Sequence, residues 1–432
     1  MSTSPRKRDA MEALSIISYR SLLVPLVLVL CCSTGNPARA TPPIDEPLRV
    51  GNLGQAETLL ADHLRSEPAD DLARFQLGTV RFLKAIEQLA QDASRYGAST
   101  RTLQLPFLRL GALGGNNPNP EPVGYEDVRQ MIERFYEGVA NAEQTLEPIR
   151  DTDLYWELDL STVGIDFDRD GALGRLETLE ATFRLVTSRR PNPGEGPVVV
   201  GFDSADACWL RGYCHVLLAL ADAVLAYDHE ELFEHTAHLF FADPRTEFAR
   251  ERDLRNAPAP RRRGFFGDME TLSDLIAAVH LMSFKTREPR RLADAREHLL
   301  EMVRLSRKNW ELIQQETDDR HEWIPGPNQT SVIPRLAAGG EQIEAWGRFL
   351  DEAEAILNGE ILLPFWRRGF EDRGLNLRRV FDDPRDFDLI LWLQGTAALP
   401  YLERGETTDP ALWREFQRIF RGQLLGFALW VN

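Results

Sequence analysis

The chain has 432 residues, of which 43% are hydrophobic and 27% are charged, and its formal net charge is −17. This composition is typical of globular proteins and excludes an intrinsically disordered chain. So acidic a chain is also a poor partner for nucleic acid or for an anionic membrane surface, and we expect no nucleic-acid partner.

The first forty residues predict a secretory signal peptide. Basic residues at positions 6, 7, 8 and 20 surround or precede the apolar run SLLVPLVLVLCC, and the tripeptide ARA closes the segment. The apolar run has about a dozen residues, whereas a bilayer span needs roughly twenty. We therefore expect cleavage after Ala40, export to the periplasm or the extracellular space, and no integral membrane span in the mature chain. An uncleaved anchor and a lipid-modified Cys31 are the alternatives.

The segment that follows predicts a helical hairpin. Ala56, Leu60 and Pro68 have the spacing of the second helix and exit turn of a tetratricopeptide repeat. Leu77 and Gly78 fall where the first helix of the next repeat packs closely. The segment thus resembles about one and a half tetratricopeptide repeats, which implies a binding or scaffold role. Because no further repeat follows, a helical hairpin docked on a larger helical body is the alternative.

Residues 166–177, DFDRDGALGRLE, carry the clearest chemical pattern in the sequence. Three Asp side chains at alternate positions of a tight loop converge on one point, and the glycine at position 171 permits the backbone angle that closes the loop. The stretch resembles the EF-hand calcium loop at every diagnostic position. The resemblance implies a calcium ion bound by Asp166, Asp168, Asp170, the carbonyl oxygen of Ala172, and Glu177, which supplies two oxygens.

We expect the calcium ion to have a structural role. Four carboxylates this close repel one another, and a cation with six to eight oxygen ligands removes that penalty. Arg169 and Arg175 dilute the negative charge, which favours the weak affinity of extracellular modules, about 10⁻⁴ to 10⁻³ M. Residues 155–165 lack the pattern of an amphipathic helix, whereas residues 173–186 predict a helix with Glu177 in its first turn. A solvated acidic turn is the alternative.

Most of the remaining sequence predicts helices, and VVVGF at residues 198–202 is a short β-prone run. Helices are expected near residues 125–148, 205–228, 269–284, 290–316 and 339–360, and after Asp409. We therefore expect an all-α fold with minimal sheet and one calcium loop, built as a multi-helical bundle or an α-solenoid-like body. The predicted organisation is a signal peptide (1–40), the hairpin (41–98), a helical region with the calcium loop (99–254), a linker (255–268) and a C-terminal helical region (269–432).

Two further sets of polar residues have metal-ligand chemistry but favour a structural interpretation. Cys208, His215, Asp222 and His229 recur every seven residues. Helical neighbours at that spacing are about 10.5 Å apart, too far to share one ion, so we expect hydrogen bonds to adjacent helices. The spacing of Cys208 and Cys214 on a helix, about 9 Å, likewise excludes a disulfide. The fold then depends on its hydrophobic core.

A second helix carries Glu231, His235 and His238 at a spacing that suits a transition metal. The stretch lacks the His-Glu-x-x-His motif of zinc proteases, because Phe233 occupies the position of the second histidine. An amphipathic helix with surface histidines is the favoured interpretation.

The stretch ETDDRHE supplies the alternative function. It places Glu316, Asp318, Asp319, His321 and Glu322 at the predicted end of a helix, where negative charge opposes the helix dipole. Carboxylates beside an imidazole are suited to the general acid–base chemistry of a hydrolase or lyase, and a solvated turn is the structural alternative.

The sequence contains no glycine-rich phosphate loop, no nucleophile elbow and no Cys-x-x-Cys pair. The sequence therefore predicts an exported calcium-binding helical protein. Its expected role is a binding or scaffold protein of the cell envelope, with calcium and another envelope protein as its partners.

Overall fold

The computed structural model describes residues 40–98, 117–186, 196–247, 265–333 and 339–422, together with residues 424, 427 and 428. The predicted signal peptide, apart from Ala40, lies outside the described residues, as do residues 255–264 of the predicted linker. The last four residues of that linker, 265–268, begin a helix.

The described chain is mainly helical with small sheets, which confirms the helical prediction at that level. Thirteen α-helices lie in the described ranges: α1 Asp45–Arg49, α2 Leu53–Ser66, α3 Asp71–Arg95, α4 Tyr125–Leu146, α5 Leu179–Val186, α6 Ser204–Leu225, α7 Glu230–Thr236, α8 Phe265–His280, α9 Arg290–Ile313, α10 Gly340–Leu357, α11 Leu377–Asp382, α12 Leu389–Gln394 and α13 Pro410–Ile419. Asp409 caps α13 as its sequence indicates, because its Oδ1 accepts the N–H of Ala411 at 2.7 Å.

Short strands form three small antiparallel sheets in the described ranges, more than the single β-prone run indicated. The strands are β1 Tyr155–Asp159, β2 Val199–Asp203, β3 Tyr227–Asp228, β4 Ser283–Thr286, β5 Leu363–Pro364, β6 Gly374–Leu375, β7 Phe387–Asp388 and β8 Leu402–Glu403. β1 pairs with β2, the order of the second sheet is β3-β4-β7, and that of the third is β5-β6-β8. The β1–β2 ribbon lies next to both candidate sites described below, because β2 ends at Asp203 and β1 leads through the Leu160–Thr162 turn to residues 166–177.

Helix α6 is the central helix of the described chain, and α4 and α9 pack along it. Its capping residue is Asp203, whose Oδ1 accepts the N–H groups of Ala205 and Asp206. α6 is the described helix that is long and apolar enough to cross a membrane, and half of that stretch is buried inside the protein. Its polar residues pair with α4 and α9, as a core helix requires.

Helices α2 and α3 form the predicted hairpin, and α3 packs against α4. The turn between them is closed by His63, whose Nε2 lies 2.8 Å from Asp70 Oδ2. Gly78 allows α3 to approach α4 closely, because a Cβ added there would meet the side chain of Leu146. The resemblance of this segment to tetratricopeptide repeats stays a prediction.

The hairpin also supports the acidic loop. The apolar residues Ile165 and Phe167 are 1% and 0% exposed and belong to the same core cluster as Leu60 and Val80. The backbone N–H of Gly164 donates to the carbonyl of Leu48 at 2.8 Å. The start of the loop is therefore fixed by burial, and the acidic residues that alternate with the apolar ones are left toward the outside.

Candidate functional site

The acidic loop is wound by hydrogen bonds from its own backbone to Asp166. Oδ1 of Asp166 accepts the N–H of Arg169 at 2.7 Å, and Oδ2 accepts the N–H of Gly171 at 3.1 Å. Gly171 has φ 79°, so the sharp turn uses the left-handed backbone conformation that glycine adopts at little cost. The role predicted for this glycine agrees with the observed geometry.

The next two acidic residues continue the same pattern. Oδ1 of Asp168 accepts the N–H of Asp170 at 3.2 Å, and Oδ1 of Asp170 accepts the N–H of Ala172 at 2.8 Å. Asp168, Asp170 and Ala172 are all exposed. Each carboxylate thus holds the backbone two residues ahead, which keeps the loop compact.

Glu177 closes the loop from beneath and is 5% exposed. Its Oε1 accepts the N–H of Phe167 at 2.8 Å, and its Oε2 accepts the N–H of Gly174 at 2.5 Å. The prediction that Glu177 lies in the first turn of a helix is wrong, because α5 begins at Leu179. Thr178 forms an antiparallel bridge with Gly164, so Glu177 is held in an extended segment across the base of the loop.

The loop brings together three of the four predicted carboxylate ligands. One oxygen from each of Asp166, Asp168 and Glu177 lies within 4.8 Å of the other two, which is close enough for a shared metal ion. Asp170 is not a member of this group. Its carboxylate lies beside Ala172, the predicted carbonyl ligand, on the exposed side of the loop.

Glu87 on α3 is a neighbour of the loop that sequence reasoning missed. Its Oε1 accepts the backbone N–H of Asp166 at 3.2 Å. Burial raises the pKa of Glu87 to about 7, and the negative charges of Asp166 and Glu177 add to this rise. Gln91, one helical turn later, donates to the carbonyl of Asp166 at 2.7 Å. The sequence carries no signal for these contacts, because they join residues 75 to 79 positions apart.

A second carboxylate cluster lies where β2 ends and α6 begins. Oxygens of Asp203, Glu316 and Glu322 lie within 4.8 Å of one another. Asp203 is held by its capping bonds to α6, and Glu316 follows the end of α9. Glu322 is 5% exposed and accepts the N–H of Arg320 at 2.8 Å. This carboxylate cluster is therefore assembled from three separate parts of the chain.

The carboxylate cluster retains protons near neutral pH. Burial, together with the charges of Asp203 and Glu322, raises the pKa of Glu316 to about 7. Burial also raises the pKa of Asp203 and of Glu322, and raises that of Asp206 far above its usual range. Carboxyl groups this close oppose one another's ionisation, which favours the protonated form of this cluster.

The carboxylate cluster lines a cavity of about 370 Å³. Thr152, Tyr155 and Ala205 form other parts of its wall. The cavity is large enough for a small ligand and contains groups that can donate and accept protons.

The stretch predicted as an acid–base cluster divides between this cavity and the surface. Glu316, Asp318 and Glu322 line the cavity. His321 does not, since its side chain is 56% exposed and its Nδ1 lies 3.6 Å from Glu157. Asp319 is also turned away, because its carboxylate accepts the N–H and the hydroxyl of Thr330. Asp203, the third member of the carboxylate cluster, was missed, and its only sequence signal is an N-cap position before α6.

Three residues of the seven-residue series, Cys208, His215 and Asp222, lie on α6, whereas His229 lies beyond the end of that helix, just before α7. Cys208 and Cys214 are both free thiols. His215 contacts His298 on α9, and Asp222 accepts from Arg291 on the same helix at 2.8 Å.

The predicted surface histidines of α7 differ from one another. His235 is exposed, but His238 is 8% exposed and its Nε2 lies 3.5 Å from Asp274 on α8. The helix ends at Thr236, so Glu231 and His238 do not share one helical face. Neither they nor His235 belong to the two groups of potential metal ligands found in the described parts of the chain.

No family model, curated protein or solved structure matches this chain. The acidic loop, the carboxylate cluster and the hairpin are therefore the features from which a function can be inferred. Of these, the acidic loop has the most specific geometry, because its converging carboxylates suit a metal ion.

Proposed function

We propose that residues 166–177 bind one calcium ion and that the ion stabilises the fold. The observation that carries the proposal is the convergence of Asp166, Asp168 and Glu177 to within 4.8 Å in a loop whose backbone is already wound. Hard oxygen ligands of this kind suit calcium. Asp170 and the Ala172 carbonyl complete the proposed ligand set by a small movement of the exposed side of the loop.

The position of the loop supports a structural role. Ile165 and Phe167 anchor it in the core, and Glu177 bridges two backbone segments. Calcium bound to Glu177 and Asp166 ties the segment before α5 to the one after the Leu160–Thr162 turn. Neutralising this concentration of charge also lowers the repulsion that Glu87 experiences.

Thermal and urea unfolding of the protein in 10 mM calcium and in chelator test this proposal. With a Kd of 10⁻⁴ to 10⁻³ M, we expect calcium to raise the free energy of unfolding by about 1.4 to 2.7 kcal/mol. Asp166→Asn removes most of that rise and has little effect in chelator. The control, Asp351→Asn, alters a side chain that is 73% exposed and keeps the full rise. An equal effect of Asp166→Asn in both conditions contradicts a role for calcium.

We further propose that the protein is exported and serves as a binding or scaffold protein of the cell envelope. The signal-peptide pattern of residues 1–40 and the helical hairpin α2–α3 support this role. Intact-mass measurement of the protein recovered from cell fractions tests export. A chain that starts after Ala40 and is found outside the cytoplasm supports it, and an unprocessed cytoplasmic chain contradicts it.

A second proposed function is that of a hydrolase or lyase acting in the cavity of the carboxylate cluster. The favouring observation is the approach of Asp203 and Glu316 to within 4.8 Å at the wall of a space of about 370 Å³, and on this proposal the two carboxyl groups share a proton. One member of such a pair can donate a proton while the other accepts one. His321 has no part in this version of the mechanism.

Assay of the protein with panels of chromogenic esters and glycosides tests the second function. Glu316→Gln abolishes any true activity, whereas Asp319→Asn, at the exposed neighbour, leaves it unchanged. Equal turnover by the protein and by Glu316→Gln, or no turnover on any substrate, counts against the enzyme.

A further inference from the structure

A row of four ionisable side chains crosses the interface of α4, α6 and α9, away from both sites described above. His215 Nδ1 lies 2.8 Å from His298 Nδ1. At the outer ends, His215 Nε2 lies 3.4 Å from Glu143 Oε1, and His298 Nε2 lies 3.7 Å from Asp222 Oδ2. His215 is 8% exposed and Asp222 only 1%. The order of the row is thus carboxylate, imidazole, imidazole, carboxylate.

Charged and titratable groups face this row from all three helices. They are Tyr136 and Glu143 on α4, Arg211 and Asp222 on α6, Arg291, Asp294 and Glu301 on α9, and Glu288 just before α9. Arg211 donates to Glu143 at 2.7 Å, and Arg291 donates to Asp222 Oδ1 at 2.8 Å. Arg211 and His215 thus face the same oxygen of Glu143, whereas Arg291 holds Oδ1 of Asp222 and leaves Oδ2 toward His298.

Counting hydrogens shows that two neutral imidazoles cannot satisfy the row. A neutral imidazole has one N–H group. In the short Nδ1–Nδ1 contact, one ring donates its only hydrogen from Nδ1, and the other ring accepts at Nδ1 and therefore carries its own hydrogen on Nε2. If that hydrogen is on His215, it faces Glu143, and His298 Nε2 accepts from Tyr136, whose hydroxyl is 3.4 Å away. Asp222 Oδ2, which has no hydrogen-bond partner among the described residues, is then a buried acceptor without a donor.

The opposite tautomer moves the defect to the other end. A hydrogen on His298 Nε2 faces Asp222, and His215 Nε2 is then a bare nitrogen that faces the Glu143 carboxylate. His215 Nε2 likewise has no hydrogen-bond partner among the described residues. Leaving a buried polar atom without a partner is unfavourable in either case.

One additional proton removes this mismatch, because it neutralises the buried carboxylate of Asp222. A water molecule does not fit in line between His298 Nε2 and Asp222 Oδ2, because 3.7 Å is shorter than two successive hydrogen bonds. The four side chains also do not form one of the groups close enough to share a metal ion among the described residues. We propose that the folded protein binds one buried proton at this row, on the carboxyl of Asp222 beside a neutral His298.

The electrostatic environment agrees with the geometry. Burial raises the pKa of Asp222 to about 6. Burial and the neighbouring His215 lower the pKa of His298 to about 4, so a second proton on the imidazole pair is opposed. The added proton therefore resides on the carboxyl of Asp222, whose Oδ2 lies 3.7 Å from His298 Nε2. In mildly acidic solution the core takes up this proton without placing a positive charge on His298.

The effects of these two groups on stability have opposite signs. Because the pKa of Asp222 is raised, its contribution to stability increases as the pH falls through 6. Because the pKa of His298 is lowered, its contribution decreases over the range from 6.5 down to 4. The pH dependence of stability from Asp222 and that from His298 therefore offset each other in the wild-type chain. Replacing either residue leaves the pH dependence that comes from the other.

Nuclear magnetic resonance of the full chain with ¹³C-labelled aspartate and histidine tests the proposal. We expect a carboxyl resonance with a midpoint near pH 6 that Asp222→Asn removes, and a His298 ring that stays neutral below pH 5. If Asp222→Asn does not fold, His298→Gln takes its place as the test variant. We expect it to shift the midpoint of the Asp222 carboxyl resonance and to leave the resonances of Asp203 and Asp206, whose pKa values are also raised, unchanged. An Asp222 carboxyl that titrates near pH 4, or a His298 ring that titrates near pH 6.5, overturns the proposal.

Discussion

Glu87 on α3 accepts a hydrogen bond from the backbone N–H of Asp166, the first residue of the acidic loop, at 3.2 Å. The proposed calcium loop is therefore attached to the α2–α3 hairpin by a polar contact as well as by its buried Ile165 and Phe167. A carboxylate in this position is also unfavourable without a cation, because it adds a further negative charge beside Asp166 and Glu177.

We predict that Glu87→Gln stabilises the protein in chelator at pH 8 by on the order of 1 kcal/mol, allowing for the partial exposure of Glu87. The amide can still accept from Asp166 but carries no charge. Bound calcium relieves the same repulsion, so the rise in stability on adding calcium is smaller in the variant. Urea unfolding with and without calcium measures both effects. Glu311→Gln, at a side chain that is 62% exposed, is the control, and a loss of stability in chelator contradicts the prediction.

We predict that Glu316 makes the free energy of unfolding in chelator depend on pH. Its pKa is raised to about 7, so the folded state binds this proton more tightly than the unfolded state does. Stability from this group therefore increases as the pH falls through 7 toward 4.5 and is lost as the pH rises. We expect Glu316→Gln to be more stable than the wild type at pH 8, by on the order of 1 kcal/mol, with the difference shrinking at pH 5.5.

Denaturant unfolding of both chains at the two pH values measures this dependence. Glu87 also makes the stability of both chains depend on pH, because its pKa is raised. The quantity to compare is therefore the difference in the free energy of unfolding between Glu316→Gln and the wild type at each pH. A difference that does not change with pH contradicts the shared proton at the carboxylate cluster.

We expect replacement by alanine to have opposite effects on stability at two helical glycines, Gly78 and Gly347. Gly78→Ala brings a Cβ into the side chain of Leu146 at the α3–α4 contact, and we expect a loss of about 1 to 3 kcal/mol. Gly347→Ala on α10 meets no atom within 4 Å, and we expect a gain of about 0.5 to 1 kcal/mol from the better helix propensity. Unfolding free energies of the two variants in one buffer decide the matter, and losses of equal size contradict the packing argument.

The sequence was informative where structure follows from local periodicity. The apolar spacing predicted α4, α6, α9 and α10 to within a few residues, and Asp409 with Pro410 marked the start of α13. The pattern of DFDRDGALGRLE likewise predicted a tight loop that turns at Gly171, because the bonds that wind this loop join residues only two to five positions apart.

The sequence was uninformative where a site joins distant segments. Glu87 meets Asp166 across 79 positions, and Asp203 meets Glu316 across more than a hundred. Local pattern also misplaced Glu177, because the bridge between Gly164 and Thr178 delays the start of α5. Such tertiary pairings override helix propensity and leave no mark in the neighbouring residues.

Phe167 separates the contribution of the core from that of calcium. Its side chain is 0% exposed in the cluster that joins the loop to α2 and α3, and we expect Phe167→Ala to lower the free energy of unfolding by about 3 to 5 kcal/mol. This loss appears in chelator as well as in calcium, unlike that of Asp166→Asn, because the apolar anchor acts whether or not an ion is bound. Leu393→Ala, at a side chain that is 68% exposed, changes stability by about 0.5 kcal/mol or less. If Phe167→Ala destabilises the protein only in calcium, the loop depends on the ion rather than on the core for its position.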